Sequence, residues 1–247
     1  MTTKNSILVV GESCLDVFTY GSCIRLCPEA PVPVFNPTKT ISNGGMAFNV
    51  HKNLESLGAS SQLFTNENHK RISKTRFIDE NTNHMFMRLD KNDRAYGKCK
   101  VKKINFSLYD AVIISDYNKG FLSEEDIAYI GENHNLVFLD TKKILGSWCE
   151  TVDYIKININ EYERTRHMLN EAINDKLIIT RGSGGASHGG ITYPVPQVEI
   201  KDTSGAGDTF IAALAVEYTK SQEIEKAILS ANECATMVVQ KKGVSTV

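Results

Sequence analysis

Short apolar runs alternate with helical repeats along most of the chain. Residues 7–10 form an apolar run that ends at Gly11, which predicts a buried strand. Apolar residues from 47 to 57 recur at helical spacing, and Gly58 stands where a glycine commonly ends a helix. Further strands are predicted over residues 61–65, 111–115, 136–140, 154–157 and 177–180.

Helix signals separate these strands. Gly44 and Gly45 precede the first helical repeat, and Ser123 with Asp126 three residues later has the spacing of a capping box. Strands that alternate with helices imply right-handed crossovers and a mainly parallel sheet covered on both faces, which is an α/β doubly wound fold. Ligands of such sheets bind beyond the carboxyl ends of the strands. The later elements are predicted as a helix from Glu161, a hairpin over 182–193, and two helices over about 206–220 and 222–241.

Two stretches lack these core patterns and are assigned to a small β lid within one domain over residues 1–247. The first, about 12–42, contains four prolines, which exclude a helix and confine any strand to an edge. The second, about 84–100, begins with a predicted edge strand. The basic stretch 98–103 overlaps its end and is interpreted as the solvated face of a strand, with a phosphate-binding patch as the alternative. Residues 66–83 are polar and without a pattern, so a loop is predicted there.

Composition excludes several classes of function. The 247 residues carry a formal net charge of −1, so no global basic field is available for nucleic acid or an anionic membrane. No stretch approaches the roughly 20 apolar residues of a membrane span, and the N-terminus lacks the pattern of a signal peptide. The six cysteines form no C-x-x-C pair, so we expect free thiols in a reducing cytoplasm and no zinc site.

The sharpest chemical signal lies between residues 202 and 210. Gly205, Ala206 and Gly207 lead into an apolar helix, whose unpaired N–H groups and dipole form an anion site. Asp208 in the same turn is suited to take a proton from an attacking hydroxyl while the anion site stabilises a phosphoryl group in transfer. The alternative is that Asp208 stabilises the helix N-terminus, by about 0.3–1 kcal/mol. No P-loop motif occurs in the chain.

Two motifs resemble one enzyme family. D-T-S-G-A-G-D-T-F at 202–210 resembles the C-terminal signature of the ribokinase-like (PfkB) carbohydrate kinases, and G-G-M-A-F-N-V at 44–50 resembles their N-terminal signature. The resemblance implies a ribokinase-like doubly wound sheet with a small β lid, and ATP-dependent phosphorylation of a sugar hydroxyl. It also implies ATP and Mg²⁺ as cofactors, while the monovalent cation found in parts of the family is left open.

Three further segments resemble a subgroup that phosphorylates heptose 7-phosphate at the anomeric position. They are R-L-C-P-E-A-P-V-P-V at 25–34, S-D-Y-N-K-G at 115–120 and K-G-V-S-T-V at 242–247. The chain is short at 66–83, where the family usually has another strand and helix with acceptor-side contacts, so a more open acceptor pocket is expected. Fructose, ribose or a nucleoside as acceptor, and a non-catalytic homologue that binds sugar or nucleotide, remain alternatives.

The resemblance assigns roles position by position. Asp208 is the expected base and Gly205, Ala206 and Gly207 the anion hole, while Glu163 is expected to order magnesium through water. Lys119 is either a phosphate ligand or solvated. The residues expected to bind the acceptor are Asp16, Gly44, Gly45, Asn49 and Lys119, and those expected near the nucleotide are Lys142, Asn160, Thr180, Arg181, Gly182 and Asn232.

Several of these roles have structural alternatives. Asn160 and Glu163 also have the spacing of a capping box. Asp16 could instead be a turn residue after the first strand, Asn49 a polar residue on the exposed side of its helix, and Asn232 a hydrogen-bonded core residue. The expected partners are a small sugar or sugar phosphate and a second copy of the chain, because the exposed strands of a lid invite edge-to-edge pairing.

Overall fold

Two β-sheets form the frame of the computed structural model, which describes residues 5–95 and 97–247. Residues 1–4 and 96, which fall within the predicted domain and second lid segment, lie outside the described residues. The larger sheet has eight strands in the order β12-β11-β10-β9-β8-β7-β1-β4. These strands are β1 (Ser6–Gly11), β4 (Ser60–Phe64), β7 (Ala111–Asp116), β8 (Val137–Thr141), β9 (Tyr154–Asn158), β10 (Leu177–Thr180), β11 (Ala186–His188) and β12 (Ile191–Tyr193).

The large sheet is parallel from β4 to β10, and the antiparallel hairpin of β11 and β12 extends it. Helices connect the strands, and Ser123 with Asp126 forms the predicted capping box of the second helix. The α/β fold with a mainly parallel sheet is therefore confirmed. The helices are α1 (Ala47–Ser56), α2 (Glu124–Asn133), α3 (Ile159–Thr165), α4 (Glu171–Asn174), α5 (Ala206–Ser221) and α6 (Ile224–Val239).

Alternate residues of β1 enter two separate cores. Ile7 and Val9 pack in a cluster with α1, α5 and α6, while Leu8 and Val10 pack in a second cluster with α2 on the opposite face. A strand buried on both faces reads as a continuous apolar run, which is why its position was predictable. No described helix is long and apolar enough to cross a lipid bilayer.

The smaller sheet is the lid, with the strand order β3-β2-β5-β6. Its strands are β2 (Ser13–Ser22), β3 (Asn36–Met46), β5 (Ser73–Asp79) and β6 (Met85–Lys91). The predicted edge strand near residue 84 corresponds to β6, whose residues are all exposed. The predicted hairpin and closing helices also occur close to their expected positions.

The loop predicted over 66–83 is wrong, because β5 lies in the middle of the lid sheet. It pairs parallel with β2 and antiparallel with β6. The sequence did not indicate β5 because most of its side chains are polar. A strand of a half-buried sheet does not need the apolar run of a core strand. The strand expected within 98–103 is also absent from the described residues, where Val101–Lys103 forms a 3₁₀ turn instead.

Parallel strand order brings several chain segments to one edge of the large sheet. The carboxyl ends of β1, β7, β8 and β9 are followed by Glu12, Tyr117, Lys142 and the start of α3. This is the edge at which open α/β sheets bind ligands.

Candidate active site

Asp208 lies in the first turn of α5 and is buried, with 5% of its surface exposed. The side-chain amide of Asn49 donates to its Oδ2 at 2.9 Å, and the hydroxyl of Tyr117 donates to its Oδ1 at 2.8 Å. Burial raises the pKa of Asp208 to about 6, and these two hydrogen bonds oppose that rise. A carboxyl with this pKa is ionised at neutral pH yet accepts a proton readily, which suits a general base.

Asn49 is held by a buried polar chain between α1 and α5. The side-chain amide of Asn53 donates to the backbone carbonyl oxygen of Asn49 at 2.9 Å, and the hydroxyl of Thr209 donates to Asn53 Oδ1 at 3.0 Å. Buried polar groups are costly unless they are hydrogen-bonded, so this network sets the two helices in one register. It thereby fixes where Asn49 meets Asp208.

The turn before Asp208 requires small residues. Gly205 has φ of +81°, and a Cβ there would lie 2.6 Å from the Asn49 amide nitrogen. A Cβ on Gly207 would lie 2.8 Å from Nζ of Lys156. The backbone of the predicted anion hole is therefore approached by an amide on one side and by an ammonium group on the other.

Lys156 belongs to a buried charge network that the sequence did not reveal. Its Nζ lies 2.7 Å from Asp140 Oδ2, and Lys142 lies 2.5 Å from Glu161 Oε1 and 3.7 Å from Asp140 Oδ1. Burial alone would raise the pKa of Asp140, but the two ammonium groups hold it below its usual value. The predicted residue Lys142 thus lies at this edge, together with a second lysine.

The spacing N-x-x-E occurs twice in overlapping positions, and the structure places the two pairs differently. Asn160 and Glu163 were expected near the phosphates, but both are exposed, and Glu163 pairs with Arg166 at 3.0 Å. Asn158 and Glu161 instead cap α3, with hydrogen bonds of 2.9 and 2.8 Å. Glu161 is also buried and pairs with Lys142, so Glu161 rather than Glu163 belongs to the charge network at this edge of the sheet.

A cavity adjoins the glycine turn on the side of α6. Five residues predicted at the anion hole or nucleotide line it: Thr180, Gly182, Ala206, Gly207 and Asn232. The Asn232 amide donates to the carbonyl oxygen of Tyr193 at 2.9 Å, so it is both a satisfied core residue and a wall of the cavity. Apolar side chains that were not predicted complete the wall, among them Val198, Ile200, Phe210 and Val239.

Arg181 does not share this position. Its side chain is exposed, and its Nε lies 3.3 Å from the hydroxyl of Ser187. Arg181 is outside the cavity lining, unlike its neighbours Thr180 and Gly182. The structure therefore places Thr180 and Gly182 in the cavity lining but not the side chain of Arg181 between them.

The residues predicted on the acceptor side meet where the lid joins α1. Asp16 on β2 accepts a hydrogen bond of 2.8 Å from Arg76 on β5, so it is not merely a turn residue. A Cβ on Gly45 would lie 2.5 Å from the Asp16 carboxylate, and one on Gly44 would overlap the ring of Phe48. These glycines let β3 approach Asp16 closely before α1 begins with Asn49 in its first turn.

Lys119 lies further out. Its Nζ forms an ion pair with Asp93, which also lies 4.0 Å from Nζ of Lys74. Lys119 and Asp93, but not Lys74, border a second, open cavity shared with Arg94 and Asn118. A role for Lys119 in binding a phosphate stays a prediction.

Sequence reasoning missed Lys74, Arg76, Tyr117, Lys156 and Glu161. Tyr117 stands inside the S-D-Y-N-K-G motif, and Glu161 completes an N-x-x-E spacing, so both had a local signal. Lys74 and Arg76 stand in β5, whose polar sequence has no alternation of apolar and polar residues to indicate a strand. Lys156 carried no such signal, because its neighbour Gly207 is remote in the sequence.

Comparison with known proteins gives consistent matches. A family model described as pfkB family carbohydrate kinase matches residues 66–247. The bifunctional protein HldE of Blochmanniella pennsylvanica is 28% identical over 99% of this chain and 62% of its own length. HldE of Helicobacter pylori strain Shi470 is 30% identical over 96% of this chain and 63% of its own length. The chain thus spans less than two thirds of these relatives.

Solved structures agree with the fold. A nucleoside kinase of Methanocaldococcus jannaschii, a member of the ribokinase family, superposes with a TM-score of 0.70 at 20% identity, covering 97% of this chain and 93% of its own. Ribokinase from Thermotoga maritima superposes with a TM-score of 0.70 at 15% identity, covering 97% of this chain and 94% of its own.

The alignment with HldE of B. pennsylvanica is 294 positions long against 247 residues here, so that relative has segments without a counterpart in this chain.

Proposed function

Because this chain belongs to the pfkB family of carbohydrate kinases, we propose that it transfers the γ-phosphate of ATP to a hydroxyl of a sugar phosphate, with Asp208 as the base. The observation that carries this proposal is the buried Asp208 carboxylate, held through both oxygens beside a glycine turn at the start of α5. An anion site next to a base is the combination that phosphoryl transfer to a hydroxyl requires.

The cavity beside the glycine turn is the proposed nucleotide site. Its apolar walls suit a base and sugar, and it ends at Gly207, where Lys156 adds a positive charge. Lys156 and Lys142 both lie at this edge of the sheet, where each pairs with Asp140. We propose that they, with the N–H groups of the turn, hold the phosphoryl group during transfer.

Magnesium fits the carboxylates at the same edge. Asp140 Oδ1 is buried and has no hydrogen-bond partner among the described residues, and Glu161 lies close by through their shared contact with Lys142. Carboxylate oxygens that face magnesium-bound water would satisfy such an atom. When bound, the ion supplies charge neutralisation between the phosphates. We assign no residues to a monovalent cation beside the turn, which the sequence left open.

Heptose 7-phosphate is the acceptor that we propose. The support is the likeness to HldE over nearly the whole chain and the three subgroup motifs at 25–34, 115–120 and 242–247. The acceptor side also carries the cations Arg76, Lys74 and Lys119, which fit an acceptor that bears its own phosphate. Asp16 and Asn49 would then bind sugar hydroxyls.

The deciding experiment measures ADP release with Mg-ATP against heptose 7-phosphate, fructose, ribose, their phosphates and nucleosides. Turnover with one acceptor, reduced ~10²–10⁴-fold in Asp208→Asn, is the expected result. Turnover with fructose, ribose or a nucleoside would move the acceptor assignment. Nucleotide binding without turnover on any acceptor would favour the non-catalytic homologue. Wild-type turnover in Asp208→Asn would show that Asp208 is not the base.

We also propose that the lid pairs with the lid of a second chain. The β6 strand is a lid edge, and its side chains Met85 and Met87 are 49% and 54% exposed. The first lid segment adds Ile24, which is 82% exposed. Exposed apolar residues on an open strand edge favour association with another strand.

A further inference from the structure

Tyr117 stands between the acceptor side and the nucleotide side of the site. It directly follows β7, and its hydroxyl donates to Asp208 Oδ1 at 2.8 Å. Nζ of Lys74 lies 5.5 Å from the centre of its ring, and Nζ of Lys142 lies 5.4 Å from it. Lys74 comes from the lid and Lys142 from the end of β8, so the ring links both halves of the site.

The hydroxyl of Tyr117 and the amide of Asn49 hold the two oxygens of Asp208 separately. Asn49 donates to Oδ2 and Tyr117 to Oδ1, and the donors come from different elements of the fold. One bond on each oxygen fixes the rotation of the carboxylate plane. Each ionised oxygen accepts about two hydrogen bonds, so one position on each remains for an acceptor hydroxyl.

A buried carboxylate holds Tyr117 in turn. Glu12 is fully buried and accepts backbone N–H bonds from Tyr117, Lys119 and Phe121 at 2.8, 3.0 and 3.2 Å. A buried carboxylate is costly unless it is hydrogen-bonded, and these three donors satisfy it. Asn118 between them has φ of +56°, so the segment follows one particular path from 117 to 121.

We propose that Tyr117 is a positioning residue for phosphoryl transfer: its hydroxyl orients Asp208 and stabilises the ionised carboxylate, and Glu12 holds the Tyr117 segment in place. This proposal rests on the role of Asp208 in the proposed function. Tyr117 acts through Asp208, and the acceptor hydroxyl would use the free position on the same carboxylate.

Other charged groups also face Asp208, and they set the background for a test. Lys156 from β9 lowers its pKa and Asp140 from β8 raises it, after burial and the two hydrogen bonds. Asp208 in turn raises the pKa of Lys142 and that of the Cys14 thiol on β2, although other causes rank higher for both. None of these groups is altered when the Tyr117 hydroxyl alone is removed.

Tyr117→Phe removes that hydroxyl and keeps the ring. Loss of a donor to the ionised form raises the pKa of a carboxyl, here by roughly one unit. We would follow the Asp208 carboxyl by ¹³C NMR against pH, with Asp208→Asn to identify its signal. Tyr109→Phe, which loses a surface hydrogen bond to Gln62, is the matched control and should leave the titration unchanged. An unchanged Asp208 titration in Tyr117→Phe would overturn the proposal.

Turnover gives the second readout. In Tyr117→Phe we expect kcat to fall roughly 10- to 100-fold, the acid limb of its pH profile to move to higher pH, and KM for ATP to stay near wild type. A wild-type kcat and pH profile would also overturn the proposal. If no acceptor is turned over, the proposed function fails, while the NMR titration, which needs no substrate, still decides the role of Tyr117.

Glu12→Gln tests the second half independently and leaves the Tyr117 hydroxyl intact. The neutral amide presents a donor toward at least one of the three N–H groups, so the segment should loosen. We expect faster hydrogen exchange at the amides of 117, 119 and 121 and a lower kcat. Unchanged exchange at all three amides would show that Glu12 does not hold the segment.

Discussion

At the scale of single residues, the site depends on side chains that approach glycine backbone closely. Gly205 and Gly207 leave room for the Asn49 amide and the Lys156 ammonium, which lie where a Cβ would stand. Asp208 is then ionised in a buried place because donors reach it from two directions. The close contact at Gly205 and the buried carboxylate of Asp208 each predict the effect of a substitution on turnover and stability.

Gly205→Ala should reduce turnover through Asn49. A Cβ at this position would lie 2.6 Å from the Asn49 amide nitrogen, which must then leave Asp208. Gly190→Ala is the matched control, because Gly190 has a similar φ of +79° and, within the described chain, no atom within 4 Å of such a Cβ. Both variants carry the left-handed strain of about 1–2 kcal/mol. We expect kcat to fall in Gly205→Ala alone. The melting temperature should fall in both variants, and further in Gly205→Ala because the clash with Asn49 adds to the strain. Equal kcat in both variants would contradict the argument.

The raised pKa of Asp208 predicts two pH dependences. Turnover should fall as the pH drops through about 6, since the base must be ionised. Folding favours the protonated carboxyl, so its contribution to the unfolding free energy is greatest below the unfolded pKa and is lost as the pH rises toward 6. The unfolding free energy of wild type minus that of Asp208→Asn should therefore decrease by roughly 2–3 kcal/mol between pH 4 and 7. Denaturant titrations at several pH values measure this, and a rising difference would contradict it.

At the scale of secondary-structure elements, local patterns located the central strands but not the middle of the lid. The β5 strand is polar because one face of the lid is open, and its pairing with β2 and β6 supplies what its sequence lacks. The same limit applies to α3. Two overlapping N-x-x-E spacings have equal local merit, and the helix begins at Ile159, which puts Asn158 at its cap.

Glu161→Gln and Glu163→Gln separate these spacings by experiment. Glu161 is buried, accepts a hydrogen bond from the backbone N–H of Asn158 and pairs with Lys142. Loss of its carboxylate should therefore raise the magnesium concentration needed for half-maximal turnover and lower the free energy of unfolding. Glu163 is exposed and pairs with Arg166 on the surface, where an ion pair contributes little. We expect Glu163→Gln to resemble wild type in both measurements. The reverse pattern would restore the original assignment of Glu163.

At the scale of the whole molecule, the lid and the large sheet supply opposite sides of one site. Asp16 and Arg76 come from lid strands, while Asp208 and Lys156 come from the elements of the large sheet. Tyr117 contacts groups from both, through Lys74 and Lys142. A shift of the lid relative to the large sheet would therefore move Asp16 and Arg76 on the acceptor side more than Asp208 and Lys156.

A lid-mediated dimer predicts a specific mass change. Met85→Glu with Met87→Glu places two charges on the exposed edge strand and should give a monomer in analytical ultracentrifugation. Leu108→Glu, at a residue that is 64% exposed outside the lid, is the control and should keep the dimer. A wild-type protein that sediments as a monomer would rule out the pairing.

The sequence by itself determined the alternation of core strands and helices, the glycine turn with Asp208, and the family. These features depend on periodicity and on residues that are neighbours along the chain. Only the tertiary structure decided that Tyr117 and Asn49, which are 91 and 159 residues from Asp208, donate to it, and that Lys156 reaches Gly207. It also decided the place of β5 and the burial of Glu161 against Lys142. Such contacts arise because parallel strands bring their carboxyl ends to one edge, whatever their separation in sequence.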